Sequence, residues 1–161
     1  MTTDNSHRTI ETPVGVLHVA ATKAGLTHLV YPAKDHGRPV GDGSPEAARI
    51  IDQVISQLEE FFAGERRRFD LPLAPGGTEF QRAVWSALAD IPFGETRSYG
   101  ELAQTIGRPG SARAVGAANG ANPISVIVPC HRVIGAGGKL TGYAGGLPAK
   151  KVLLELERSG T

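Results

Sequence analysis

One side chain in this sequence can act as a soft nucleophile. Cys130 is the single cysteine of 161 residues, set in the run Ile124-Ser-Val-Ile-Val-Pro-Cys-His-Arg-Val133. A working cysteine needs a thiolate, exposure and a proton acceptor, because the free thiol ionises only near pH ~8.5. His131 is the nearest base. The β-branched stretch Ile124 to Val128 reads as a strand, and successive residues of an extended chain point to opposite faces, so a bridging water is expected between Cys130 and His131. Glu157, flanked by Leu154 and Leu156 near the end of the last helix, is the carboxylate available to orient the imidazole. The same residues also admit a plain reading, with Cys130 a small buried hydrophobe and His131 a satisfied structural histidine. A lone cysteine excludes an intrachain disulfide. His7, His18, His28, His36 and His131 lack metal-ligand spacing, and no glycine-rich segment follows a phosphate-binding pattern, so neither metal nor cofactor is expected.

The elements that must position these residues follow from periodicity and punctuation. Arg8 to Ala21 alternates around Thr12-Pro-Val-Gly15, and Leu26 to Val30 follows a Lys-Ala-Gly turn, which predicts a small antiparallel meander. Ser44 and Pro45 open a helix with the apolar stripe Ile50, Ile51, Val54, Ile55, Leu58, Phe61 and Phe62, stopped at Gly64. The arginines 66 to 68 after it read as a solvated cluster. Leu71 to Gly77 breaks periodicity and looks like a connector. Thr78 with Gln81, and Ser98 with Glu101, form capping boxes for two helices. Gly107-Arg-Pro-Gly110 turns the chain, and Ser111 is expected to cap a helix reaching about Asn119. Two short helices across a tight glycine-containing turn predict a helix-turn-helix. Its second helix, Ala112 to Asn119, is built almost wholly of small residues, which suits close packing as well as entry into a narrow groove. Arg113 favours the groove, since a cation in the first turn opposes the helix dipole. A last helix opens at Pro148 with Val152, Leu153 and Leu156 expected inside.

Composition is that of a folded chain, with 40% hydrophobic and 20% charged residues. No apolar run approaches the roughly 18 residues of a membrane span, and a free thiol fits the reducing cytoplasm. Net charge is +1, but residues 1–77 carry −2 and residues 78–161 carry +3, which points any anionic partner at the second half. The expected fold class is α+β. A small N-terminal lobe of antiparallel sheet plus helix spans 1–77, and a mostly helical C-terminal lobe with the helix-turn-helix and the cysteine spans 78–161.

Pro129-Cys-His-Arg-Val133 matches the signature of the O6-alkylguanine-DNA alkyltransferases, also called methylated-DNA-protein-cysteine methyltransferases. The sequence resembles that family from Thr78 to about Glu157, through Phe80-Gln81, Val84-Trp85, Ile91-Pro-Phe-Gly-Glu95, Ser98-Tyr99, Ala112-Arg-Ala-Val-Gly116, Asn122-Pro123 and Gly142-Tyr143. The N-terminal lobe resembles it only in plan. The resemblance implies stoichiometric DNA repair, in which an alkyl group on guanine O6 moves irreversibly to Cys130, and it leaves O4-alkylthymine open as a second substrate. It implies that His131 deprotonates Cys130 through water, that Glu157 orients His131, and that Tyr99 crowds the target phosphate and helps protonate the departing guanine. Arg113 resembles the finger that fills the gap left by the flipped base, with Ser98, Tyr99, Ala112, Ala114 and Asn122 also facing DNA. Asn122 resembles the hinge joining the recognition helix to the cysteine segment. With Asn122, backbone groups of Cys130, Val133, Tyr143 and Ala144 are expected to read the extruded base. Ala144 replaces a serine found in some members, and the zinc ligands of some members' N-terminal lobes have no counterpart. The implied partner is double-stranded DNA entered from the minor groove, by a monomer acting alone or in cooperative assembly. A lesion-binding module without transfer, and a cysteine hydrolase, are the competing readings.

Overall fold

The computed structural model describes residues 6–32, 39–138 and 140–159; His36 falls outside them. The chain divides into two compact units, Met1–Gly76 and Gly77–Thr161.

In the N-terminal unit, β1 (His7–Thr12), β2 (Gly15–Thr22) and β3 (Gly25–Val30) form an antiparallel sheet in that order. The alternation read from the sequence holds through Leu17 and Val19, which β2 buries completely, and breaks at the register shift between Ala20 and Ala21, both of them also fully buried. Helix α1 (Pro45–Phe62) packs on the sheet through Ile51, Val54, Leu58 and Phe61. It starts where expected, with the Ser44 hydroxyl accepting from the Ala47 amide at 3.1 Å. Arg66 is tied to Glu60 at 3.3 Å and to the Arg68 carbonyl at 2.9 Å, while Arg67 and Arg68 stay exposed. The connector touches β3 through a bridge between Leu26 and Leu73. A side chain at Gly25 would collide with the Pro72 carbonyl, 2.7 Å from where its Cβ would lie.

The C-terminal unit is helical: α2 (Glu79–Ala89), α3 (Tyr99–Thr105), α4 (Ala112–Gly120) and α5 (Leu147–Ser159), with a two-residue parallel pairing of β4 (Arg97–Ser98) and β5 (Val133–Ile134). Both capping boxes are present, at Thr78–Gln81 and Ser98–Glu101. Helices α3 and α4 pack together as a helix-turn-helix, braced by α2. Trp85 of α2 donates its indole N–H to the Ala118 carbonyl of α4 at 2.9 Å, entirely buried. The fold is α+β, as the sequence pattern predicts.

Three local readings are corrected. Ile124–Val128 is not a strand: the Val128 amide bonds the Ile124 carbonyl at 3.0 Å and the Ile127 amide the Ser125 carbonyl at 2.8 Å, which curls the segment into successive turns. Val126 takes φ +69° there, a costly conformation for a β-branched residue. Ser111 precedes α4, but its side chain makes no capping bond. Val152 is 43% exposed, because the inward face of α5 is Ala149, Lys150, Leu153 and Glu157. Two ionic residues occupy that face, so apolar spacing alone rotated the helix by about one position.

Candidate active site

The turns that replace the expected strand exist to hold Cys130. Asn122, just beyond α4, donates from Nδ2 to the carbonyls of Val128 at 2.9 Å and Ile124 at 3.3 Å, and its Oδ1 accepts from the Ile124 amide at 3.0 Å. One buried amide thus over-determines the loop, and that is the condition under which the strained Val126 backbone persists. Beyond Pro129 the chain enters a single 310 turn, Cys130–Arg132, leading into β5. The expectation of an extended Cys130–His131 step is therefore corrected: both lie in a tight turn. The pairing of Arg97 with Val133 and Ser98 with Ile134 brings the start of α3, and hence Tyr99, beside that turn.

Cys130 is 5% exposed, less open than a reactive thiol was expected to be. Burial pushes its pKa above the ordinary value, against smaller downward pulls from hydrogen bonds with Asn122 and Ser125 and from the charge of Lys150. The resting sulfur is a protonated thiol. It faces a cavity of about 20 Å³ lined in part by Asn119, Asn122, Ser125, Tyr143 and Ala144, room for about one water.

His131 is completely buried, and Glu157 is 1% exposed. Glu157 Oε2 lies 2.7 Å from His131 Nε2. Burial pulls the histidine below its ordinary pKa, outweighing the upward influence of Glu157, so the ring is neutral near pH 7. A neutral ring that donates Nε2–H to the carboxylate leaves Nδ1 as its basic nitrogen, and Nδ1 has no hydrogen-bond partner among the described residues. Glu157 itself is raised by burial but lowered more by hydrogen bonds and charge from His131 and Arg132, which hold it at about 2. It is an anion throughout the working range.

Three participants escaped sequence reading. Arg132 grips Glu157 in a fork, Nε to Oε1 at 2.9 Å and Nη2 to Oε2 at 2.8 Å, and donates Nη1 to the Ile91 carbonyl at 2.7 Å. Lys150 is fully buried, its ammonium donating to the carbonyls of Val133 at 2.7 Å and Thr141 at 3.3 Å. Thr141 Oγ1 in turn lies 2.6 Å from the Tyr99 hydroxyl. A signal existed for Lys150, since Lys150, Leu153 and Glu157 fall at i, i+3 and i+7 on one helix face. Arg132 had none, because its partner is 25 residues away.

The remaining candidates divide by exposure. Arg113 and Ala114 are exposed on α4, with Ala112 half-buried beside them, while Val115, Ala118 and Asn119 form the buried face. Among the described residues Arg113 has no ion-pair or hydrogen-bond partner. Ser98 spends its hydroxyl on the α3 cap, accepting from the Glu101 amide at 3.1 Å. The Tyr99 ring lies against Gly116, 3.7 Å from where a Cβ would be. The small residues of α4 therefore do both jobs that the sequence left open, close packing inside and a low-profile face outside. Among the described residues no group of three or more His, Cys, Asp or Glu side chains is placed to hold a metal ion, and no helix is long and apolar enough to cross a membrane.

A buried thiol on a turn that follows a helix-turn-helix, with a carboxylate-held imidazole next in the chain, fits the class of DNA-binding proteins that carry a reactive cysteine. The comparisons narrow this further. The family model for the DNA-binding domain of 6-O-methylguanine DNA methyltransferase matches residues 79–159, and that for the ribonuclease-like domain of the same family matches residues 6–75. Proteins named methylated-DNA–protein-cysteine methyltransferase are similar over nearly the whole chain. The one from Mycolicibacterium paratuberculosis is 53% identical over 94% of this chain and 92% of its own length, and the one from Methanosarcina acetivorans is 52% identical over 92% and 96%. The crystal structure of Mycobacterium tuberculosis OGT in complex with DNA superposes with a TM-score of 0.86 at 51% identity, covering 96% of this chain and 94% of that one. The chain belongs to the 6-O-methylguanine DNA methyltransferase family.

Proposed function

We propose that this protein repairs alkylated DNA directly, moving the alkyl group of an O6-alkylguanine from duplex DNA to Cys130 once per molecule. The observation that carries this reading is the buried Glu157–His131 pair next to the single cysteine, a neutral base with one nitrogen held and the other free. The thiol proton passes through a bridging water to His131 Nδ1. The thiolate then attacks the alkyl carbon: an S–C bond forms as the C–O bond breaks, and the electron pair leaves with the base. Tyr99 gives its proton to the departing guanine and regains one from solvent, while His131 releases its own, so that in sum one proton moves from thiol to guanine. The thioether has no low-barrier hydrolytic exit, and the protein is consumed.

The division of labour follows the two lobes, with residues 78–161 as DNA-binding and acceptor domain and 1–77 as its companion. The exposed face of α4 enters the minor groove, Ala112 and Ala114 allowing close approach and Arg113 filling the gap left by the flipped nucleotide. Ser98 and Tyr99 meet the backbone at the start of α3. Asn122 holds the turn while backbone groups of Cys130, Val133, Tyr143 and Ala144 read the base. A cavity of about 20 Å³ cannot admit a guanine, so the wall formed by Gly142 to Ala144 moves outward when the base enters. The protein works as a monomer in the cytoplasm, where its thiol stays reduced.

The test is stoichiometry. Incubation with an excess of duplex carrying labelled O6-methylguanine is expected to stop near one equivalent, with the label on Cys130 by peptide mass spectrometry and none transferred to Cys130→Ser. Continued turnover would sink the proposal. Lesion binding undiminished in Cys130→Ala, with no transfer by the unsubstituted protein, would favour a recognition module instead.

A further inference from the structure

Two enclosed polar atoms of the C-terminal unit lack a hydrogen-bond partner among the described residues: Nδ1 of His131, which the proposed reaction uses, and Oδ1 of Asn119, which it does not. Asn119 is 6% exposed on the inner face of α4, next to Val115 and Ala118, where packing alone would take an apolar residue. An unpaired buried amide oxygen destabilises the fold. Asn122, three residues on, has its oxygen and its amide nitrogen both bonded to backbone; Asn119 has its oxygen to spare.

The location gives that oxygen a use. Asn119 lines the cavity that holds the Cys130 sulfur, together with Asn122, Ser125 and Tyr143. For transfer to occur the alkyl carbon must come within about 3–3.5 Å of the sulfur. Whatever that carbon carries is then placed among these walls. A methyl group offers nothing to a carbonyl oxygen, whereas a hydroxyl two atoms further along can donate to it.

We propose that Asn119 is a specificity residue for the alkyl group: its side-chain oxygen accepts a hydrogen bond from hydroxyalkyl lesions, so that O6-(2-hydroxyethyl)guanine is preferred over the equally long O6-propylguanine. This rests on Cys130 being the alkyl acceptor. The transfer itself is unchanged, with S–C formed, C–O broken and the thiol proton ending on guanine.

Single-turnover transfer from duplexes carrying O6-methyl-, O6-propyl- or O6-(2-hydroxyethyl)guanine tests it, in the unsubstituted protein, Asn119→Leu and Asn119→Ala. The hydroxyethyl-to-propyl rate ratio is expected to fall about tenfold in both variants, the worth of one hydrogen bond of about 1.4 kcal/mol, while methyl transfer is retained. Taking the ratio within each variant cancels any general loss of active protein, and the Asn119→Leu thermal midpoint is expected to match or exceed that of the parent. An unchanged or increased ratio overturns the assignment. Absence of methyl transfer by the unsubstituted protein overturns the alkyl-acceptor reading itself and this inference with it.

Discussion

At the scale of the residue, Cys130 and His131 carry opposite burdens of burial. Enclosure raises the Cys130 pKa and lowers that of His131, so the resting site is an uncharged thiol beside an uncharged imidazole rather than a preformed ion pair. Charge separation is deferred until the lesion arrives. The pH dependence follows. His131 must be unprotonated to accept the thiol proton, and its pKa lies below the ordinary 6.5, so the single-turnover rate should be level from pH 7 to 8 and decline at pH values below 6.5. A rate climbing about tenfold per unit through that alkaline range would show the thiol titrating by itself and remove His131 as the base. Cys130 was legible as chemistry because it is the single cysteine, His131 because it adjoins it, and Glu157, one of 16 acidic residues, through its apolar flanks and the family resemblance. Arg132 was not, because its partner lies 25 residues away, and Lys150 was signalled only by sharing a helix face with Leu153 and Glu157, since its burial against two carbonyls is a tertiary property.

At the scale of the element, α4 is positioned by two small devices, the Trp85 indole on the Ala118 carbonyl and the Tyr99 ring against Gly116. Trp85→Phe keeps an aromatic plate but removes the indole donor, leaving the Ala118 carbonyl only the 3.2 Å bond from the Ala121 amide. The expected cost is that of one hydrogen bond, about 0.5–1.5 kcal/mol in urea unfolding, together with weaker binding of lesion-free duplex as the exposed side of α4 loses its brace. A stability change under about 0.5 kcal/mol, the range of surface substitutions, would show the bond to be incidental. The helices were readable because their caps are local chemistry: Thr78 with Gln81 and Ser98 with Glu101 announce themselves within four residues. The segment Ile124–Val128 was misread for the complementary reason. Its β-branched composition favours a strand, but Asn122 diverts its backbone hydrogen bonds into a loop, and side-chain competition for backbone groups overrides propensity.

At the scale of the whole molecule, the Glu157 cluster ties the reaction machinery to acid stability. Glu157 titrates at about 2 in the fold against an ordinary 4.5, so the folded state binds fewer protons than the unfolded chain between those values. Its contribution, about 3 kcal/mol, is complete above pH 4.5 and is lost as pH falls towards 2. Glu157→Gln should be destabilised by about 3–5 kcal/mol at pH 7, since it strands the Arg132 guanidinium, and its unfolding free energy should vary less between pH 4.5 and 2 than the parent's. Equal pH slopes in urea titrations of the two proteins would refute that origin. The sequence by itself determined the α+β plan, the capped helices, the helix-turn-helix and the lone acceptor with its family signature, because periodicity, caps and scarce reactive side chains are local. Only the tertiary structure decided how open the thiol is, which face of α5 turns inward, who holds Glu157 and which amide oxygen is left unpaired beside the sulfur. Those properties belong to groups distant in the chain and close in space, where exclusion of water sets both charge state and hydrogen-bond demand.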